Sequence, residues 1–390
     1  MNFDEALAWL DATRPFGVKL GLENIRRLLA GLGNPQEGRA ILHAAGTNGK
    51  GSVCAMLDAI LRAAGHRTGL YTSPHLVDFC ERIRVDGKKI PADDVAAGLS
   101  EIRTVSADWD HAPTYFEITT ALALWHFARR DCGVIVLETG MGGRLDATNA
   151  IHPLVAILTP VAADHTEWLG ETLAEVAAEK AGILKAGAPV VSARQEPEVA
   201  AVILARAKEL GCSLQVVDSS VCSVEVALRG AHQRSNAALA IRALEVAGLA
   251  PDAAVIAQGL REVQWPGRFQ ALPGGIVLDG AHNPHAIAQL VRNWREAYGE
   301  RRTVVIFGAL ADKDYAGMMR ELAPLAAEFF FVPIREERGL DPETLGACCP
   351  GLYRTFDSVE SALAATDGPC LVTGSLYLVG AAMSALGIEA

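Results

Sequence analysis

The chain is short of several things, and each shortage removes a class of function. No stretch reaches the roughly 18 uninterrupted apolar residues of a membrane span, so a membrane role is not expected. No Lys/Arg block occurs and the formal net charge is −11, which argues against a nucleic-acid partner. The opening MNFDEALAWLDATRPFG lacks a basic segment followed by a long apolar one, so cytoplasmic residence is expected. The eight cysteines are scattered without a C-x-x-C pair, as reduced buried thiols are, and neither a disulfide framework nor a thiolate metal site is expected. Repeats and low-complexity tracts are missing too. Apolar residues, by contrast, make up 50% of the 390, and a chain of that length is expected to divide into two domains.

The most informative segment is Ala45-Gly46-Thr47-Asn48-Gly49-Lys50-Gly51-Ser52. It follows the apolar run 40–44 and opens an amphipathic pattern with Val53, Met56, Leu57, Ile60 and Leu61 on one face. A strand, a glycine-rich turn, a lysine and a helix N-terminus are the parts of a phosphate cradle, in which backbone N–H groups and the helix dipole face the anion. The order differs from G-x-x-x-x-G-K-[ST]: Ala44 replaces the first glycine and Gly51 separates Lys50 from Ser52. Such a turn can be a mere tight connection; with the lysine and hydroxyl in place, it predicts ATP binding.

Strand patterns at 40–44, 69–72, 133–138, 154–159 and 189–192 alternate with helical patterns at 52–64, 117–130, 172–184 and 198–210. Continuous apolar strands between amphipathic helices predict a parallel sheet covered on both faces. The stretch 215–228 alternates more loosely and reads as a small antiparallel excursion, and 232–247 is again helical. Two prolines and three glycines interrupt both periodicities at 265–275, where the domain boundary is expected. A second alternating set follows at 275–279, 303–308, 328–334 and 370–373, with helices from Pro284 and Asp312. The fold class is α/β: a P-loop NTPase-like parallel-sheet N-terminal domain, residues 1–269, and a smaller Rossmann-like domain, residues 270–390.

Glu138 ends the run Val134-Ile135-Val136-Leu137, which places a carboxylate at the C-terminal rim of a parallel sheet, where such folds bind ligands. Beside a phosphate cradle it suits magnesium, although a strand-end acid can simply face water. Gly140-Met141-Gly142-Gly143 is no dinucleotide fingerprint, since Leu145 stands at the third glycine position. Asp164-His165 belongs to the same rim, as a ligand or as a structural hydrogen-bonder. Lys180, taken alone, is an ordinary helical lysine. In the second domain Asp279 ends an apolar run, and His282 and His285 that follow lack the further ligands of a zinc site.

Several of these segments coincide in one family. Leu20-Gly21-Leu22-Glu23, Gly46–Ser52, Thr72-Ser73-Pro74-His75-Leu76, Thr114-Tyr115-Phe116-Glu117, Glu138–Asn149 (ETGMGGRLDATN), Asp164-His165, Glu179-Lys180-Ala181-Gly182, Pro266-Gly267-Arg268-Phe269, Asp279–Pro284 and Thr373-Gly374-Ser375 run in family order over nearly the whole chain. Together they resemble the bifunctional dihydrofolate synthase/folylpolyglutamate synthases of bacterial type, kin to the Mur peptidoglycan ligases. The resemblance implies an ATP-dependent ligase in which ATP phosphorylates a carboxylate and the amine of L-glutamate attacks the acyl phosphate. Its substrates would be dihydropteroate, reduced folates and L-glutamate, and it is expected to work as a monomer.

Carried over position by position, the resemblance implies that Thr47, Asn48, Gly49, Lys50, Gly51 and Ser52 hold phosphates, with Asn236, Arg268 and Asp279 also on ATP. Ser73 and Glu138 would bind one magnesium ion, and Glu138, His165 and a carbamylated Lys180 a second; Lys50, His165 and Lys180 are the expected catalytic residues. The pterin would be held by Leu20, Gly21, Leu22 and Glu23, by Thr114, Tyr115 and Phe116, and by Arg144, Asp146 and Ala147. His282 and Ser375 are candidates for glutamate. Two other readings stand beside it: a monofunctional folylpolyglutamate synthase, and a P-loop regulatory nucleotide-binding protein, which would leave the second domain unexplained.

Overall fold

The structure is a computed structural model that describes residues 1–14, 21–218 and 224–389; Leu20 and part of the 215–228 stretch lie outside them. Two compact units result. The first comprises Met1–Ser73, Cys80–Val226 and Arg234–Val263, the second Pro74–Phe79, Ala227–Gln233 and Gln264–Ala390. The second unit thus takes in two early segments besides the residues after the 265–275 break. Leu76 packs on its core, against the helix Leu376–Ala385, and His232 meets Asn293 with Nδ1 and Nδ2 3.2 Å apart.

In the first unit the strands are β1 (Ala40–Ala45), β2 (Thr68–Tyr71), β3 (Ile83–Val85), β4 (Lys88–Lys89), β5 (Val134–Glu138), β6 (Val155–Leu158), β7 (Val190–Ala193) and β8 (Leu214–Val217). Their order is β4-β3-β2-β5-β1-β6-β7-β8, parallel from β2 to β8 and antiparallel in the β2-β3-β4 ribbon. The stretch from Gln215, read as an antiparallel excursion, instead begins in β8, which pairs parallel with β7. Residues of β2, β5 and β6 are buried throughout, as expected of strands covered on both faces.

From β1 the chain first crosses to β2 and later returns to β6 on the other side, so β1 is the switch point of the sheet, where α/β folds open a crevice. The helix Lys50–Ala63 follows β1 and is buried from Gly51 to Leu61. The helix Ala253–Glu262 approaches it so closely that a Cβ on Gly259 would come within 2.6 Å of Ile60 Cα. A side chain larger than glycine there would have to push the two helices apart.

The second unit holds β9 (Gln270–Ala271), β10 (Ile276–Leu278), β11 (Thr303–Phe307), β12 (Ala326–Phe331), β13 (Tyr353–Thr355) and β14 (Cys370–Thr373) in the order β13-β12-β11-β14-β10-β9. All pairs are parallel except β9 with β10. Val305, Phe307, Phe329, Phe331 and Leu371 on one face meet Ile287, Leu290 and Trp294 of the helix Pro284–Tyr298. Each such side chain contributes about 1.5–3 kcal/mol when fully buried. No helix among the described residues is long and apolar enough to cross a membrane.

Candidate active site

The turn after β1 is shaped by two glycines. Gly46 has φ +148° and runs beside Thr159 of the segment after β6, where a side chain would collide with that residue. Gly49 has φ +88° and caps the helix Lys50–Ala63; a Cβ there would come within 2.8 Å of Asn236 Oδ1. The structure therefore brings Asn236, in the helix Ala231–Val246, against the loop. The N–H groups of Thr47 and Asn48 donate to Pro160 O (2.9 and 3.2 Å), and the Thr47 hydroxyl donates to Ala162 O (2.9 Å). The first two loop N–H groups are thus spent on fixing the loop, while those of the first helical turn, around Lys50 and Gly51, have no acceptor within the helix, as at any helix start. Lys50 Nζ rests on Gly46 O (3.2 Å) and Thr47 O (3.4 Å).

Glu138 closes β5 and is 5% exposed, and Ser73 follows the neighbouring β2, so the two stand at one rim; Ser73 N donates to Glu138 Oε2 (3.1 Å). A carboxylate and a hydroxyl are the hard oxygen donors that magnesium takes beside phosphate, and this pair fits one such ion. The second expected set fits differently. Lys180, in the helix Leu173–Ala181, is buried and its Nζ donates to Gly46 O (3.0 Å), which places it beside the phosphate loop. His165 sits at φ +52° with its N–H on Asp164 Oδ1 (2.9 Å), and its carbonyl accepts from Trp168 N and Leu169 N at 3.0 Å each. Among the described residues, no group of three or more His, Cys, Asp or Glu is placed to hold a metal ion.

Of the expected pterin residues, Leu20 lies outside the described residues, and Gly21, Leu22 and Glu23 form the entry to the helix Glu23–Gly31. Thr114 and Glu117 form a capping box on the helix Tyr115–Arg129: Thr114 N and Oγ1 donate to Glu117 Oε2 (2.8 and 2.9 Å), and Glu117 N donates to Thr114 Oγ1 (3.3 Å). The Thr114 hydroxyl thus takes part in starting this helix. Tyr115 lies under two cations, with Arg14 Cζ 4.6 Å and Arg82 Cζ 5.6 Å from its ring centre. Phe116 meets Tyr71 at 6.0 Å between ring centres and covers Gly140 so closely that a Cβ there would lie 2.5 Å from its Cζ.

The loop after β5 then returns through Asp146, whose Oδ2 accepts from Met141 N (2.9 Å) and whose Oδ1 accepts from Thr148 N (3.0 Å) and Oγ1 (2.5 Å). Burial raises the Asp146 carboxyl above its ordinary range, and the donors of Thr148, Met141 and Gly140 pull it back. Burial likewise pushes the Tyr71 phenol up to about 12, with Asp146 adding to the shift and Arg82 opposing it. Ala147 is buried in the short 3₁₀ turn Ala147–Ala150. Arg144 is turned to Glu179, with Nη2 2.8 Å and Nε 3.0 Å from Oε1, and is half-exposed.

In the second unit, β10 and β14 are parallel neighbours, so Asp279–His282 and Gly374–Ser375 leave the sheet side by side; Gly374 N donates to Ala281 O (3.1 Å). Asp279 accepts from Phe269 N (2.8 Å) and Ala281 N (2.9 Å). Its carboxyl is raised by burial against the opposing charge of Arg268. His282 Nδ1 is 2.7 Å from Gly280 O, and Ser375 Oγ caps the helix Leu376–Ala385 by accepting from Tyr377 N (3.1 Å).

The sequence reading passed over His43 and Thr148. His43 lies in the apolar run of β1, fully buried, with Nε2 2.8 Å from Thr148 Oγ1. A histidine inside an apolar central strand was the available signal. Burial, and then the charge of Lys185, drive its pKa down to about 3, so it is neutral.

Residues 44–190 match the Mur ligase middle domain and residues 267–379 the Mur ligase glutamate ligase domain. A dihydrofolate synthase/folylpolyglutamate synthase from Escherichia coli is 36% identical over 97% of this chain and 94% of its own length. A probable bifunctional folylpolyglutamate synthase/dihydropteroate synthase from Haloferax volcanii is 38% identical over 98% of this chain; the chain spans about half (50%) the length of that relative. The crystal structure of a bifunctional folylpolyglutamate synthase/dihydrofolate synthase from Yersinia pestis, complexed with AMPPNP and Mn ion, superposes with a TM-score of 0.90 at 32% identity, covering 100% of this chain and 98% of that one. The domain matches, the 36% identity to a relative over nearly the whole length of both chains and the agreement in fold concur, and the chain belongs to the dihydrofolate synthase/folylpolyglutamate synthase family of the Mur ligases.

Proposed function

We propose that the chain is an ATP-dependent ligase that joins L-glutamate to dihydropteroate and to reduced folates. The observation that carries this reading is the gathering, on one rim of the eight-stranded sheet, of the phosphate loop, the Ser73–Glu138 pair and the Asp146 loop. A carboxylate is a poor acyl donor because its leaving group would be oxide. Transfer of the γ-phosphoryl group of ATP to the carboxylate oxygen makes an acyl phosphate; attack by the amine of glutamate then forms the amide and expels phosphate.

In that reaction the first turn of the helix Lys50–Ala63 and the Lys50 ammonium bind the phosphates and offset the charge spread over the transferring group. Glu138 and Ser73 would hold a magnesium ion, which supplies electrostatic stabilisation of the phosphate oxygens when bound. Two such sites, the second using His165 and a carbamylated Lys180, are the family-based reading. It requires that the Lys180 ammonium, now donating to Gly46 O, become a carbamate, an oxygen donor of opposite charge. Asn236 beside Gly49 supports its assignment to the nucleotide, and Arg268 with Asp279 and the candidates His282 and Ser375 extend the reading to the second unit. Tyr115, Phe116, Asp146 and Ala147 would bind the pterin, with Tyr115 and Phe116 giving it aromatic surface.

ADP and phosphate should form only when both L-glutamate and a pteroate or folate carboxylate are present. Hydrolysis at the same rate without either substrate would contradict the ligase reading and favour a nucleotide-binding module. Glutamate transfer to tetrahydrofolate but not to dihydropteroate would assign the chain to the monofunctional type.

A further inference from the structure

A line of three polar residues runs from the middle of the sheet to its rim. His43 of β1 and Thr148 of the 3₁₀ turn are 105 residues apart, yet Nε2 and Oγ1 are 2.8 Å apart in a buried setting. The same Thr148 oxygen lies 2.5 Å from Asp146 Oδ1. A threonine hydroxyl has one hydrogen, and an ionised carboxylate can only accept. If that hydrogen goes to Asp146, the Thr148 oxygen must accept from His43, whose single N–H is then on Nε2. His43 Nδ1 is then the bare nitrogen, and it is buried without a hydrogen-bond partner.

Local capping accounts for the bond from Thr148 N to Asp146 Oδ1, since Asp146 starts the 3₁₀ turn. It does not call for a threonine two residues later, nor for a histidine in an otherwise apolar strand. Met141 N donates to Asp146 Oδ2, Thr148 N and Oγ1 donate to Oδ1, and the Gly140 N–H lies near the same carboxylate. A carboxylate has about four acceptor positions, so both donors on Oδ1 turn the remaining one onto Oδ2.

We propose that His43 and Thr148 are positioning residues for acceptor binding: a one-way donor chain, His43 Nε2–H to Thr148 Oγ1 and Thr148 Oγ1–H to Asp146 Oδ1, locks the carboxylate so that Oδ2 is presented to an N–H edge of the heterocyclic substrate. The inference rests on the reading that Asp146 contacts the pterin. It assigns specificity to two residues that touch no substrate, through a fixed carboxylate orientation that excludes ligands offering an acceptor at that edge.

The test is steady-state kinetics on six variants, with folding checked by circular dichroism. Thr148→Val and His43→Leu break the chain. Thr148→Ser keeps the hydroxyl, and His43→Gln keeps a donor at the place of Nε2. Loss of a charge-assisted hydrogen bond corresponds to a KM for dihydropteroate raised about 10-fold in Thr148→Val and several-fold in His43→Leu. The KM for ATP should stay within about twofold, and the two conservative variants should stay near wild type. The double variant Thr148→Val/His43→Leu should be no worse than Thr148→Val alone, because both act through one chain.

An unchanged dihydropteroate KM in Thr148→Val, or an ATP KM that rises in parallel, overturns the proposal. Asp146→Asn separates the two claims. If it leaves the dihydropteroate KM unchanged, the pterin reading of Asp146 fails and the positioning role falls with it; if it raises that KM while Thr148→Val does not, only the positioning role fails. A measurement on the unaltered protein covers the case in which variants do not fold: nitrogen NMR of labelled histidine should show His43 as the neutral Nε2–H tautomer. The Nδ1–H tautomer would reverse the chain and overturn the proposal.

Discussion

At the rim of the eight-stranded sheet, polar side chains are held by partners far away in the chain. Lys180 reaches Gly46 across 134 residues, Ser73 reaches Glu138 across 65, and His43 reaches Thr148 across 105. At the rim of the six-stranded sheet more of the side-chain bonds are short-range: Asp279 accepts from Ala281, Asn283 from Ala286, Asp314 from Gly317 and Ser375 from Tyr377, each two or three residues on, while Thr373 Oγ1 and Gly374 N reach Ala281 O from the neighbouring strand. The first rim exists only when the whole sheet is assembled, because β1, β2, β5 and β6 each bring one part. The second rim is largely a set of helix caps and turns that each segment can make for itself. Substitutions at the first rim should therefore read out mainly in chemistry, and those at the second in stability as well as in the nucleotide and glutamate contacts proposed for it.

The largest expected effect is at the first rim. Lys50→Ala removes the ammonium proposed to bind the phosphates, and glutamate-dependent phosphate release should fall about 10²–10³-fold, as when a preorganised electrostatic donor is lost. Lys180→Ala should cost most of the activity with the fold retained, since alanine favours helix. Partial recovery with small carboxylates, or a dependence on bicarbonate, would sharpen its assignment to a carbamate; wild-type turnover in Lys180→Ala would remove it from the site.

Next comes Asp279→Ala at the second rim. It strands the N–H groups of Phe269 and Ala281, each buried donor costing about 1–3 kcal/mol, so denaturant unfolding should show a loss of about 3 kcal/mol. A variant as stable as wild type would break the contrast between the rims.

Acid should separate the units more gently. Burial first of all pushes His43 down to about 3 and His126 to about 4 in the first unit, and His232 to about 4 in the second. The unfolded chain takes up these protons below its ordinary value near 6.5 and the folded chain does not. Their contribution is complete above that value and is lost as the pH falls from about 6.5 towards 4. Unfolding midpoints measured from pH 7 down to 5 should decline, and His126→Gln should flatten the decline. An unchanged slope would show that His126 is not held neutral.

The smallest effect belongs to a single cap. Asn283→Ala should cost about 1 kcal/mol by removing the acceptor for Ala286 N, and Asn283→Gly less.

The same contrast explains what could be read from the sequence. The strands β1, β5, β6 and β14, the glycine-lysine turn and Glu138 at a strand end were legible because apolar runs and turn residues act locally. The capping boxes that the structure shows at Thr114 and Thr172 are equally local, each closed within three residues. Pairings across the sheet were not legible. Nothing in the order of residues sets His43 beside Thr148, Asn236 beside Gly49, or Lys180 on Gly46 O; those follow from strand order and from the close approach that Gly46 and Gly49 permit. The parallel pairing of β8 was missed because its residues are half-exposed and lack the apolar run of a central strand.

The central claim is that the first rim phosphorylates a carboxylate before the amide forms. Its most direct test uses an acceptor whose carboxylate oxygens carry an isotopic label, with ATP and L-glutamate, and mass analysis of the phosphate released. An acyl phosphate leaves one labelled oxygen on each phosphate for each amide bond made. Amide formation with unlabelled phosphate would contradict the account.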